Sequence, residues 1–336
     1  MKIAIIGAGF AGLATAWHLA QYSLNTIQIT LFDHLGVGGK ASGIAGGLLH
    51  PYSGLHAKLN RFGKEAYNEA CKLLEISQAN MQQKVFLSSG MLRLALTKSQ
   101  ETDYFNCSYE NSDVRFLTAE KCQELEPLIA PFPGILISNA KTVYTKPYLK
   151  GLLSGLTNLR VDFKTTKIQH LDDLKEFDRV VVTAGADTAL FSELKNLALS
   201  FTKGQILEIE WPADNPPLKL PINSQGYLLM SEDNQSCIAG ATFERNFASP
   251  EKDCAFAASE IMPKITSLVP CLKNSKVLNC SAAIRVSTKD HLPLIQKINP
   301  RLFVFVGLGS KGLLYHGFYA KKLAEMIMNL SHYSIH

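Results

Sequence analysis

The chain opens on an unbroken apolar run at residues 3–6, the length of a parallel strand buried on both faces. The run stops at Gly7, Gly9 and Gly12, and residues 13–20 then have helical character. A second apolar run, 27–32, predicts another buried strand and ends at Asp33. Residues 55–76 have helical spacing, with Leu59, Phe62, Ala66, Ala70, Leu73 and Leu74 on one face. From 85 to 96 the pattern changes to strand-like runs punctuated by Gly90. Thr118 opens a short helix, Pro127, Pro131 and Pro133 mark a loop, and 134–138 predicts a strand. Pro147 falls in the first turn of a helix reaching about Leu156, where a proline is tolerated. Residues 159–167 and 180–183 have the pattern of buried strands. Segments 204–210 and 226–230 alternate like antiparallel strands, 237–243 is a further strand, and Pro250 starts a helix towards Val269. A strand at 302–306, a glycine turn at 307–312 and a helix at 318–330 close the pattern.

The two ends of this pattern carry its chemistry. Strand, glycines and helix at the start match a dinucleotide-binding turn. Gly7 permits the turn, Gly9 lets the main chain approach a pyrophosphate, and Gly12 lets the helix pack on the sheet. Asp33 lies about 20 residues further on, where an acid accepts hydrogen bonds from ribose hydroxyls. The glycine-dense stretch 35–47 suits a loop that passes very close to a ligand. Small residues after the 180–183 strand would let the main chain touch a cofactor. The last glycine turn would aim a second helix N-terminus at the ligand, favouring developing negative charge.

Composition narrows the picture further. Apolar content of 46% builds a substantial core and argues against disorder. The net charge of +5 is compatible with an acidic substrate or with tRNA and demands neither. Seven cysteines are scattered without a CxxC pair, so no metal site or redox dithiol is expected, and reduced thiols in a cytoplasm are the simplest account. No stretch is long and apolar enough to span a membrane.

Taken together, Gly7, Gly9, Gly12 and Asp33, the loop at 39–47, Thr183, Ala184 and Gly185, the block at 285–293 and the turn at 307–312 resemble the D-amino-acid-oxidase-like FAD flavoproteins. That family includes glycine and sarcosine oxidases. Residues 203–205, 240–243, 285–293 and 307–313 are most similar to the FAD oxidase domain of the bifunctional tRNA wobble-uridine modification enzymes. The resemblance implies an α/β fold: a glutathione-reductase-like Rossmann FAD domain with an inserted α+β substrate domain on a mixed, largely antiparallel sheet. The FAD domain would take residues 1–84, 141–200 and 281–336, and the substrate domain 85–140 and 201–280.

The resemblance also implies roles. Gly7, Gly9, Phe10, Ala11 and Gly12 would hold the pyrophosphate of a non-covalent FAD. Asp33 would take the adenosine ribose, with His34 where relatives place a basic residue. Gly39, Lys40, Ala41 and Ser42 would continue along the phosphates, and Ala45, Gly46, Gly47 and Leu48 would lie beside the isoalloxazine. Thr166, Lys167 and Ile168 would meet adenine, and Thr183, Ala184 and Gly185 would close over that end. Gly307, Gly309, Ser310, Gly312 and Leu313 would stand at the pyrimidine edge of the flavin.

Such a protein oxidises an amine by hydride transfer to flavin, which oxygen or a quinone then reoxidises. Arg285 would hold a substrate carboxylate in its planar fork, and Tyr227 would line the pocket. His50 could border the pocket or tune proton transfer, and Lys311 could face the electron-rich edge of the flavin. Three functions are compatible with this: oxidation of a glycine-like secondary amine, including the carboxymethylaminomethyl group of a tRNA wobble uridine; a free amino-acid oxidase or dehydrogenase for glycine, sarcosine, proline or a D-amino acid; and a non-catalytic flavoprotein subunit.

Overall fold

A computed structural model describes residues 1–22 and 27–329. Its two large sheets face each other across the main cavities. The first has six strands in the order Asp162–Lys164, Gln28–Phe32, Lys2–Ile6, Arg179–Val182, Leu302–Val306 and Leu294–Lys297. The first five are mutually parallel, and Leu294–Lys297 is antiparallel to its neighbour. Both faces are covered, which explains the continuous apolar runs. Ile3, Ile5, Val181, Phe303 and Phe305 pack under the helices Phe10–Tyr22, Thr145–Asn158 and Gly312–Ile327. Their alternates Ala4, Ile6, Val180, Val182 and Val304 pack against Leu171, Leu174, Phe177 and Phe191.

The second sheet has eight strands in the order Val277–Ser287, Ser200–Glu210, Ser236–Gly240, Tyr227–Met230, Ile222–Asn223, Met91–Leu94, Gly134–Ile137 and Val114–Leu117. All neighbours are antiparallel except the pair Ile222–Asn223 and Met91–Leu94. Its back face, with Leu92, Leu94, Leu207, Ile209, Leu228 and Met230, packs on Ile261, Ile265 and Leu268 of the helix Cys254–Leu268. The period-two alternation therefore turns Arg93, Gly204, Ile206 and Tyr227 to the front. This sheet takes the whole of Val277–Ser287, so the expected domain seam at 280/281 falls inside a strand. A three-stranded ribbon, Leu48–Leu49, Lys141–Val143 and Phe86–Leu87, ties together the edges of the first inserted segment.

Several boundaries differ from the pattern-based expectation. The helix expected over 55–76 is Gly63–Ala79, preceded by the hairpin Tyr52–Ser53 and Lys58–Leu59. Phe62, at φ 56°, is left-handed and cannot continue a helix, and Leu59 is exposed. The strand expected over 159–167 shrinks to Asp162–Lys164, after Arg160 at φ 61°. The strand expected over 237–243 ends at Gly240. The helix expected from Pro250 starts at Cys254, where the Asp253 carboxylate accepts the Phe256 N–H at 3.0 Å. Both glycine-turn helices begin earlier than their apolar spacing shows, at Phe10 and Gly312. The expected end of the last one, Leu330, lies outside the described residues.

All seven cysteines carry free thiols. Among the described residues no helix is long and apolar enough to cross a membrane, and no cluster of side chains could hold a metal ion.

Candidate active site

The opening turn is pinned from three strands. Gly7 donates to the carbonyl of Phe32 at 2.8 Å, and the Thr183 N–H donates to that of Ile6 at 2.8 Å. The Thr183 hydroxyl also donates to Ile6 O at 2.8 Å and lies within reach of Gly7 O at 3.0 Å. Gly7 sits at φ 110°, and a Cβ there would come within 2.5 Å of the Thr183 carbonyl oxygen. Asp33 reaches back into the turn: its carboxylate accepts the Ala8 N–H at 2.8 Å and the Leu35 N–H at 2.9 Å. The Phe10 N–H donates to Ser42 Oγ at 3.1 Å, which docks the glycine loop onto the helix start.

Two cavities open on this turn. The smaller, about 580 Å³, is lined by Gly7, Asp33, His34, Gly39, Lys40, Thr166, Lys167, Ile168 and Ala184 among others. An ion pair between Lys40 and Asp187 crosses its wall. The larger, about 860 Å³, runs past Phe10, Ala11, Ala45, Gly46, Gly47, Leu48, Gly307, Gly309, Ser310, Gly312 and Leu313 to the front of the eight-stranded sheet. Gly9, Ala41, Ser42, Thr183 and Gly185 line both, so the two form one trough. The trough is long, its walls near the turn are main chain and small side chains, and it passes a helix N-terminus. These features fit an extended dinucleotide.

Of the residues singled out from sequence, Gly12 and Lys311 do not line the trough. Gly12 instead packs the helix onto the turn, and a Cβ there would overlap the Gly7 carbonyl. The Lys311 ammonium lies 5.8 Å from the centre of the Tyr315 ring. The side chain turns towards Tyr315 on its own helix. Burial holds its pKa below the ordinary lysine value.

Arg285, Tyr227 and His50 all line the larger cavity. Arg285 Nη2 donates to the Thr242 carbonyl at 2.9 Å, and its guanidinium lies over Gly204, where any side chain would collide with it. Among the described residues it forms no ion pair with a carboxylate. Burial lowers its pKa, partly offset by Tyr227. Burial raises the Tyr227 phenol to about 12, with the nearby Arg285 charge opposing. The Thr242 that receives Arg285 is itself fixed. Its hydroxyl donates to Glu244 at 2.6 Å and accepts the Gln205 N–H at 2.9 Å, and Lys203 is buried 3.7 Å from Glu244.

His50 Nδ1 is buried with no hydrogen-bond partner. Burial, with help from Arg93, lowers its pKa to about 3, so the imidazole is neutral. Two further histidines are held neutral by burial, His18 at about 4 and His316 at about 4. Below the ordinary histidine pKa of 6.5 the unfolded chain takes up protons that the folded chain refuses. Stability is therefore expected to fall as pH drops from about 6.5 towards 4, by about 1.4 kcal/mol per pH unit for each histidine. Urea unfolding at successive pH values should show this, and His18→Gln should flatten the slope. An unchanged slope in that variant would refute the assignment.

Sequence reasoning missed Arg93. It is 4% exposed and lines the larger cavity. The available signal was a lone cation inside the apolar run Met91–Leu94.

A parallel-sheet dinucleotide trough, closed by the front of a second sheet that bears an uncompensated arginine, defines a nucleotide-dependent redox enzyme. The chain belongs to the FAD dependent oxidoreductase (DAO) family, whose pattern it matches over residues 2–326. It is 24% identical to the glycine oxidase of Bacillus subtilis (strain 168), covering 97% of this chain and 92% of that protein. It is 25% identical to the tRNA 5-methylaminomethyl-2-thiouridine biosynthesis bifunctional protein of Marinobacter nauticus, covering 97% of this chain but only 55% of that longer protein. Among solved structures, glycine oxidase from Geobacillus kaustophilus superposes with a TM-score of 0.85 at 19% identity, over 98% of this chain and 95% of that one.

Proposed function

We propose that the protein oxidises the C–N bond of a glycine-like secondary amine or amino acid, with non-covalent FAD along the trough. The observation that carries this is Arg285, a buried guanidinium on the cavity wall with one main-chain acceptor and no carboxylate partner among the described residues. A charge taken out of water is normally paired, and a planar fork with free N–H groups matches a carboxylate. The relationship to glycine oxidase supports the same substrate class.

In this reading the parallel-sheet part carries FAD and the front of the eight-stranded sheet carries the substrate. Gly7, Gly9, Phe10 and Ala11 would hold the pyrophosphate, Asp33 the ribose, and Thr166, Lys167 and Ile168 the adenine. Flavin, when bound, would supply the acceptor for a hydride from the carbon next to the amine nitrogen. Arg285 anchors the substrate carboxylate and so aims that C–H bond, while Tyr227 walls the pocket. The nitrogen lone pair forms the C=N bond of the imine and the N–H proton leaves. His50, whose pKa burial holds at about 3, stays neutral on the same cavity, and the proton passes to water. None of the seven cysteines lines the trough, which supports non-covalent attachment. Acid precipitation is accordingly expected to release all the flavin into the supernatant. Flavin retained in the pellet would show a covalent link.

The test of activity is anaerobic reduction of the flavin by glycine, sarcosine, proline, D-alanine and tRNA bearing the carboxymethylaminomethyl uridine. Bleaching by the small amines places the substrate among free amino acids. Bleaching by the tRNA alone places it on the wobble uridine, and failure with every amine tried favours a non-catalytic flavoprotein.

A further inference from the structure

The front of the eight-stranded sheet carries a second arginine with the same peculiarity as Arg285. Arg93 is 4% exposed and lines the same cavity. Its three protein partners are neutral. Nε donates to the Tyr104 hydroxyl at 2.9 Å, Nη1 to the Tyr52 carbonyl at 3.3 Å, and Nη2 to the Gly54 carbonyl. Of its five N–H donors two are left over. Among the described residues it forms no ion pair. Neutral acceptors satisfy its geometry and leave its charge uncompensated, which buried guanidinium groups seldom tolerate.

Its neighbours also face the cavity. Strand register sets Arg93 beside Asn223, Asn223 beside Tyr227, Tyr227 beside Gly240, and Gly240 beside Ile206. Directly paired residues project from the same face, and Arg93, Asn223, Tyr227 and Ile206 all line the cavity. Ile206 pairs with Ser281, and Arg285 lies four residues further along that strand, on the same face. The two arginines thus stand on one floor, five strands apart. Their main chains are separated by about 24 Å across the strands, at about 4.8 Å per strand, and by about 13 Å along them, at about 3.3 Å per residue. His50 adds an independent sign: its buried Nδ1 lacks a partner, and Arg93 is the one charge that perturbs it.

We propose that Arg93 is a second anion-binding residue of this cavity. The substrate is then an N-substituted glycine or amino acid with a second acidic group on a distal arm, one acid held by Arg285 and the other by Arg93. This rests on the amine-oxidation reading and narrows its substrate class.

The experiment compares N-alkylglycines with N-(ω-carboxyalkyl)glycines of two to five methylenes, by anaerobic flavin reduction with the FAD-loaded enzyme. One diacid is expected to show an apparent Kd at least tenfold below that of its neutral isostere. Arg93→Gln should abolish that advantage, weakening the diacid at least tenfold more than its neutral isostere, and Arg93→Lys should retain part of it. Equal weakening of both substrates by Arg93→Gln would mean that Arg93 only clamps the Tyr52 and Gly54 carbonyls, and would overturn the proposal. If the variant fails to fold, the wild-type comparison decides alone, and equal affinities overturn it. Bleaching by neutral N-alkylglycines with no diacid advantage refutes this inference and leaves amine oxidation standing. No bleaching by any amine refutes amine oxidation. In that case thermal stabilisation by aliphatic dicarboxylates over monocarboxylates still decides for or against the second anion point.

Discussion

Arg285→Met is expected to weaken binding of a carboxylate-bearing amine by about a hundredfold or more. Removing one partner of a buried, hydrogen-bonded charge pair costs about 3 kcal/mol. The guanidinium is held ready for its partner by Thr242 on one side and the bare surface of Gly204 on the other. Methionine keeps the length of the side chain and removes the fork. The effect should fall mainly on the Kd for flavin reduction, with a smaller loss in the limiting rate, because the carboxylate is bound before and during hydride transfer. Arg285→Lys restores charge without the planar fork and should recover only part of the loss. Rapid-mixing reduction under anaerobic conditions measures both parameters. An unchanged Kd in the methionine variant would mean that the guanidinium only props the Thr242 carbonyl, and the substrate reading would fall with it.

Gly12→Val is expected to yield a colourless protein. A Cβ at this position would interpenetrate the Gly7 carbonyl and lie 2.7 Å from Thr183 Oγ1. Neither can yield freely, since the Gly7 carbonyl is main chain and Thr183 is tied to Ile6. The helix Phe10–Tyr22 must therefore move off the turn, taking with it Phe10 and Ala11, which line the trough. The readouts are the ratio of flavin to protein absorbance and the flavin-dependent rise in melting temperature. Full flavin content in a folded Gly12→Val protein would remove the pyrophosphate from this turn.

Much of the nucleotide-binding end was legible in the sequence because its constraints are local. Gly7, Gly9 and Gly12 follow one strand, and Asp33 ends the next, so spacing alone brings them together. Arg285 and Tyr227 came from resemblance rather than pattern, since three strand steps of non-local register bring one near the other. Arg93 escaped notice because period-two alternation cannot tell which face of a sheet looks onto a cavity. The seat of the Lys311 ammonium near the Tyr315 ring, one turn along, was not legible because a position in the glycine turn says nothing about rotamer. Helix starts were read late at Phe10 and Gly312, where glycine adopts helical torsions that its poor propensity conceals. The hairpin at Tyr52–Leu59 was hidden by apolar residues that imitate the spacing of the helix after it.

The strand order of the parallel sheet also bears on synthesis. Arg179–Val182 lies between Lys2–Ile6 and Leu302–Val306, so its outer edge stays open until nearly the whole chain has left the ribosome. The helix Gly312–Ile327, which roofs Leu13 and Leu73, emerges later still. A nascent chain stalled before residue 302 therefore presents an unpaired apolar strand beneath an uncovered face. Such a fragment is a substrate for chaperones or a seed for aggregation, whereas the finished polypeptide conceals both surfaces in a single closing step.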